Sequence, residues 1–223
     1  PGPEGEENMT SLNPTKNTFN FQSSLSLNNT YFKKFNLQGA VSEYNHSERT
    51  GSGNNHNINF FSDLYEIKTS FNHNPVIDVN SEGLIGFHFQ NYDQGALGQE
   101  ESHLVHTRTS SFALFALESF NFDLFDLDVG GRLESINLKN TSMEKGFFPG
   151  AFSSTIKREI FTNNTVFVGF DFTERAPNAV ELFANGPHHA LEQFEVGDTN
   201  MDVETSYNFS IGYSYNDGLD ILK

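Results

Sequence analysis

From Ser206 to Asn216 apolar and polar residues take strict turns. Tyr207, Phe209, Ile211, Tyr213 and Tyr215 alternate with Ser206, Asn208, Ser210, Gly212, Ser214 and Asn216. Successive side chains of an extended strand point to opposite faces, so this run makes a strand with one apolar face and one small or polar face. The pattern returns along the chain. Phe19, Phe21, Leu25 and Leu27 oppose Asn20, Gln22, Ser24 and Ser26. Phe35, Leu37 and Val41 oppose Asn36, Gln38 and Ser42. Phe61, Tyr65, Ile67 and Phe71 oppose Ser62, Glu66, Lys68 and Ser70. Phe125, Leu127, Val129 and Leu133 oppose Asp126, Asp128, Arg132 and Glu134. Val166, Val168, Phe170 and Phe172 oppose Thr165, Asp171 and Thr173, with Phe167 breaking the rule. The stretches 110–122 and 151–161 alternate less cleanly.

The connections carry a second rhythm. Short ones near 28–34, 73–79, 121–123, 162–164 and 216–218 alternate with long ones near 1–16, 46–57, 93–108, 139–150 and 176–203. Outer-membrane barrels join their strands by short turns at one rim and long loops at the other. Their strands cross with roughly 9–11 residues. A soluble sandwich or jelly roll also alternates along its strands, but it has no reason to lengthen every second connection. Tyr44, Tyr92, Phe122 and Tyr215, read as strand-end aromatics, fit girdles at the membrane interfaces. The fold expected is all-β: an antiparallel up-and-down transmembrane β-barrel segment. Nine strands and the start of a tenth at 219–223 are legible, a fraction of the 22 or so strands of large plugged transporters. Residues 1–223 therefore read as one partial barrel domain, with a plug and further strands expected outside it.

Composition supports this and closes off other classes. Phe (24) and Gly (18) are frequent, Lys plus Arg total 13, and Cys is absent. That mix suits strands and polar turns more than helices. A formal charge of −16 argues against nucleic acid as a partner, since phosphate binding needs a basic face. It is compatible with a solvated acidic surface or with attraction of cations. Without cysteine there is no disulfide, thiolate ligand or Cys nucleophile. No apolar run is long enough for a transmembrane helix, and the first residues do not read as a signal peptide. No nucleophile elbow, phosphate loop or H-E-x-x-H helix is present, so no catalytic residues are assigned and no permanent cofactor is expected.

One block is more specific. Glu174-Arg175-Ala176-Pro177-Asn178-Ala179-Val180-Glu181-Leu182-Phe183-Ala184-Asn185-Gly186-Pro187-His188 continues as Phe194-Glu195-Val196-Gly197-Asp198 and Glu204-Thr205-Ser206-Tyr207-Asn208. It resembles a block of TonB-dependent outer-membrane receptors, R-A-P-x-x-x-E-L-[FY]-A-x-G-P-H, then F-E-x-G-[DN], then E-x-S-x-N. The matching positions are Arg175, Ala176, Pro177, Glu181, Leu182, Gly186, Pro187, Phe194, Glu195, Gly197, Glu204 and Asn208. Residues 96–101 and 111–118, with Pro1-Gly2, resemble the ZnuD-like zinc-receptor branch. That branch often carries a His-rich loop after the Pro-Gly. Here the loop holds Glu4, Glu6, Glu7 and Asn8, which turns the expected cargo from zinc toward iron chelates or haem. The resemblance implies a receptor in the bacterial outer membrane that imports a metal ion or metal complex. Its partners would be membrane lipid, its own plug and, through the plug, a TonB complex.

Histidine placement carries the remaining signal. His46, His56, His103, His106, His188 and His189 fall on the long-loop side; His73 and His88 do not. Imidazole and carboxylate are natural ligands for zinc and related metals. The candidate metal contacts are therefore Glu100, Glu101, His103 and His106 in one loop, and His188 and His189 in another, close to Glu192 and Glu195. Ordinary solvation is the plainer reading of loop histidines, and it is the one adopted for His46 and His56. His88 is expected to face the lumen among polar residues. Asp126, Asp128, Arg132 and Glu134 are expected to form salt bridges there. Three other classes compete: a passive porin-like channel, a soluble β-sandwich binding module, and a barrel enzyme with a catalytic pair at one rim.

Overall fold

The computed structural model describes residues 10–27, 29–50, 57–75, 80–98, 103–188 and 193–216. Among the described residues nine long strands form one sheet: β1 (Thr10–Ser26), β2 (Phe32–Thr50), β3 (Asn57–His73), β4 (Asn80–Gly98), β5 (Thr107–Asn121), β6 (Asp126–Lys139), β8 (Gly150–Phe161), β9 (Asn164–Arg175) and β12 (Glu204–Tyr215); the tenth expected at 219–223 lies outside them. Every neighbouring pair is antiparallel and consecutive in the chain, apart from short insertions at the long-loop side. These are β7 (Glu144–Phe147), which pairs with the end of β6, the helix α1 (Ala179–Phe183), and a hairpin of β10 (Asn185–His188) and β11 (Gln193–Val196).

Register fixes the two faces, because directly opposed residues of an antiparallel pair share a face. Ile67 pairs with Phe89, Phe89 with Phe112, and Phe87 with Leu114, which pairs with Leu133. On the far side of the sheet Phe209 pairs with Phe170, and Ile211 with Val168. This apolar outer face has nothing packed on it among the described residues: Ile211 is 84% exposed and Phe209 77%. A sandwich would bury those rows against a second sheet. The expected alternation therefore resolves into an apolar face that needs an apolar surrounding and a polar face opposite. The polar inner face carries Glu66, His88, Arg132 and Glu134.

Two expectations change. The first four strands run for 17–19 residues, well past the 9–11 that a crossing needs. Stretches read as loops, 46–50 and 93–98, are strand. Apart from Ala96 and Leu97 these residues are polar or glycine, so no alternation shows there, while the backbone ladder continues. Tyr44 and Tyr92 consequently lie inside strands, and pairing with Ser62 and Leu64 puts them on the inner face. They form no lipid girdle. Phe122 and Tyr215 do sit at the short-turn side, with Phe122 against Phe120 and Phe125.

The turns follow their chemistry. Thr162 and Asn163 close the β8–β9 hairpin, with Asn163 at φ 66°, a left-handed conformation that Asn tolerates better than most residues. Between β1 and β2 the Asn29 side chain accepts from the backbone N–H of Tyr31 and Phe32, an Asx turn. The buried apolar cluster lies at the opposite rim, not under the sheet. There Leu138 and Phe147 pack against Ala179, Leu182 and Phe183.

Candidate metal site where two long loops meet

The connection from β9 to β12 is built around one guanidinium. Arg175, the last residue of β9, donates to both carboxylate oxygens of Glu181 at 3.0 Å, and to Glu204, the first residue of β12, at 2.9 and 3.0 Å. Planar bidentate pairing is what Arg offers and Lys does not. Pro177 ends the ladder by lacking an N–H. Asn178 then caps α1, accepting from the N–H of Val180 and Glu181, while Glu181 accepts from the N–H of Asn178. This capping box lets a helix of five residues stand on Leu182, which is fully buried. The Glu181 carboxyl is held below the usual range by the Arg175 hydrogen bonds, helped by the Asn178 N–H.

Several of the remaining block positions serve the same brace. Ala176 packs on the cluster, and Pro177 and Gly186 are buried. Gly197 donates its N–H to the Ala184 carbonyl at 2.7 Å, and Asp198 donates to that of Glu181 at 2.8 Å. A Cβ at Gly197 would sit 2.6 Å from the Leu182 carbonyl carbon, so only glycine fits. Asn208 bonds Asp171 across β9 and β12. Phe194 is 64% exposed.

The brace presents the β10–β11 hairpin to the loop before β5. His103 donates its backbone N–H to the Pro187 carbonyl at 3.2 Å, and Asn185 returns one to the His103 carbonyl at 3.3 Å. Among the described residues these contacts assemble one potential metal-binding trio, His103, His188 and Glu195, whose ligand atoms all lie within 4.8 Å of one another. The two imidazoles stack at 4.2 Å. His188 Nδ1 donates to Glu195 Oε1 at 2.7 Å, because a carboxylate only accepts. That bond leaves Nε2 of neutral His188 with its lone pair. His103 Nε2 is 4.0 Å from Glu195 Oε2, and its Nδ1 is buried without a partner among the described residues. Burial, then the neighbouring His188, pull the His103 imidazole below its ordinary value, against the opposing pull of Glu195 and the Pro187 carbonyl. Glu195 is held low chiefly by its bond from His188.

The other candidates divide. His106 binds Asp93 at 2.7 Å on the outer face, with Arg108 on the same carboxylate and Phe61 against its ring. It is not brought to the trio. Glu100, Glu101, Glu192 and His189 lie outside the described residues, as does His56. His46, read as solvated, sits instead on the inner face of β2. It stacks on Phe60 at 4.7 Å and 9°, with Glu48 at 3.4 Å, and Phe60 in turn lies 6.2 Å from His103. Deeper on the inner face, His88 bonds Glu66 at 2.7 Å and Arg132 at 3.1 Å, and Arg132 bonds Glu134. Asp128 pairs with Lys157, and Asp126 bonds Asn121. Arg132–Glu134 and Lys157–Asp128 are salt bridges as expected, whereas Asp126 meets only the neutral amide of Asn121.

The profile of one protein family, described as "TonB dependent receptor-like, beta-barrel", matches residues 3–222. The chain belongs to that family. Among solved structures, a protein titled "Copper transporter OprC" superposes on 92% of the chain with a TM-score of 0.70. At 12% identity the likeness is one of fold. The receptor barrel described here spans 37% of that structure's length.

Proposed function

We propose that this barrel wall belongs to an outer-membrane, TonB-dependent receptor that takes up a metal ion or metal complex. The observation that carries the cargo is the trio His103, His188 and Glu195, set where two long loops meet on the inner side of the rim. Two imidazoles and a carboxylate form a ligand set for a transition metal. Three protein ligands on surface loops suit capture and release better than permanent retention. Family membership supports coupling through a plug to a TonB complex, and the fold shared with a copper transporter fits metal as cargo. The outer face of Phe, Ile and Tyr would meet lipid, and the polar inner face would meet the plug. In this reading the protein moves its cargo and catalyses no reaction.

The test is uptake by cells carrying the full-length receptor, offered zinc, copper, ferric chelates or haem. We expect accumulation of at least one, abolished when the proton gradient across the inner membrane is dissipated. Equal accumulation without that gradient would make the barrel a passive channel.

A further inference from the structure

We propose that the outer face holds a site for one phospholipid of the periplasmic leaflet, a lipid with a primary-ammonium headgroup. Its acyl chain lies in a trough across β4, β5 and β6, and its headgroup meets Glu118 and His73. The site goes beyond metal uptake and does not depend on the cargo. The first argument is shape. Ile85 pairs with Ala116 and Ala116 with Gly131, while Phe87, Leu114 and Leu133 form the next row of the same face. Two small residues among four bulky ones leave a trough of about 540 Å³, within the roughly 300–1,000 Å³ of small-molecule sites. Its floor is open: outside its chain neighbours, a Cβ on Gly131 would meet nothing nearer than the Ala151 carbonyl oxygen at 4.0 Å. Lipid tails are as apolar as leucine, so apolarity alone retains no particular lipid. A shaped groove with a polar anchor does.

The second argument is that anchor. One step along the same face, about 7 Å toward the short-turn rim, Gly83 pairs with Glu118 on one side and His73 on the other. His73 reaches across the glycine and donates from Nε2 to Glu118 Oε2 at 2.7 Å, and from Nδ1 to the Asn74 carbonyl at 2.8 Å. A carbonyl and a carboxylate only accept, so the ring donates from both nitrogens and is an imidazolium. A Cβ on Gly83 would overlap Glu118 Oε2 and come within 2.6 Å of His73 Nε2; glycine lets the pair close over the backbone. The two side chains are 13% and 22% exposed, on a row that also holds Phe32 and Val129. Ionisable groups on a lipid-facing row are costly unless something polar meets them. Pairing answers only part of that cost, because Glu118 Oε1 has no hydrogen-bond partner among the described residues.

The third argument is depth and charge. The pair lies three residues from the start of β4 and the end of β5. Exposed Tyr31, whose carbonyl accepts from the Asn74 N–H, and Phe120, stacked on Phe122, stand at the same rim, as aromatic residues do at membrane interfaces. Short turns of outer-membrane barrels face the periplasm, so the lipid there belongs to the inner leaflet. A headgroup ammonium carries the charge and the N–H donors that Glu118 Oε1 lacks. The imidazolium beside it offers the lipid phosphate its countercharge. An anionic lipid with a glycerol headgroup brings no cation to Glu118.

The experiment is native mass spectrometry of purified full-length receptor, stripped of lipid in detergent and titrated with palmitoyl-oleoyl phosphatidylethanolamine or the phosphatidylglycerol of the same chains. The wild type should retain one ethanolamine lipid in preference to the glycerol lipid. Glu118→Gln should erase that preference, lowering retention of the ethanolamine lipid roughly tenfold, as loss of a hydrogen bond between charged groups does. Gly131→Leu, which fills the trough without touching the pair, should lower retention of both lipids. Circular dichroism checks that each variant keeps its strands. Ala116→Leu fills the same trough from the neighbouring strand and replaces Gly131→Leu if that variant does not fold. Equal retention of the two lipids by the wild type would overturn the proposal. So would a preference that survives Glu118→Gln, or retention that trough filling leaves unchanged.

Discussion

Arg175, Glu181 and Gly197 show how much of a receptor block can be explained without a ligand. Arg175 joins the end of one strand, the start of another and the helix between them. Gly197 lets the chain after the hairpin touch the helix backbone. We predict that Gly197→Ala forces that contact apart, at the 1–3 kcal/mol typical of overpacking, and that limited proteolysis then cuts within 176–203 while the strands resist. Arg175→Lys should behave similarly, since one ammonium cannot serve two carboxylates bidentately. The Glu181 carboxyl, held low by Arg175 and the Asn178 N–H, adds a pH signature. Its folded pKa lies below its unfolded one, so its contribution is complete above the ordinary glutamate range and is lost as pH falls through the depressed value. Protease sensitivity of the wild-type loop should therefore rise on acidification through that window. Glu181→Gln should be sensitive already at neutral pH and should not change across the window; a mutant that still shows the wild-type pH step would assign it to another group.

At the scale of elements, alternation marks six of the nine long strands cleanly and those at 110–122 and 151–161 less so, while the one between 79 and 93 follows from the rhythm of short and long connections. It stopped being informative where both sides are wet. The outer reaches of β2 and β4, including His46 and 93–98, are strands whose composition looks like loop. The helix α1 is too short for any periodicity to reveal it. The site was half legible. His188 and Glu195 stand together in the receptor block, and His103 was a candidate, but nothing in the sequence joins residues so far apart. That link is made by backbone bonds between His103 and the hairpin. His106, three residues on, is turned to the outer face with Arg108, a matter of strand parity that loop composition cannot show. We predict that the polar ends of β2 and β4 are protected in hydrogen exchange of the full-length receptor almost as well as their lipid-level segments. Exchange within seconds at 46–50 and 93–98 would mean the ladder ends where the alternation does.

For the whole molecule the decisive quantity is what covers the outer face. A face on which Leu133 is 72% and Ile211 84% exposed is stable only against hydrocarbon, and the inner face only against water or polar chain. Substitutions on the two faces should therefore have unequal costs although their residues alternate along the same strands. Leu133 on β6 lies opposite Leu114, whose other neighbour is Phe87. Leu133→Arg would place a guanidinium among lipid tails, at about 2–4 kcal/mol if it lies near the bilayer midplane. Gln90, on the inner face of β4, is paired with Glu66 and Ser111. Gln90→Arg would put the same charge beside a carboxylate in a wet interior, where it should cost little. The measurement is equilibrium unfolding of the full-length receptor reconstituted in lipid bilayers. The ordering follows from which neighbours each side chain has, and it reverses if the Phe and Tyr rows face inward. Equal destabilisation by the two arginines, or a larger cost at Gln90, would mean that the apolar face is covered by protein and that this sheet does not line a membrane barrel.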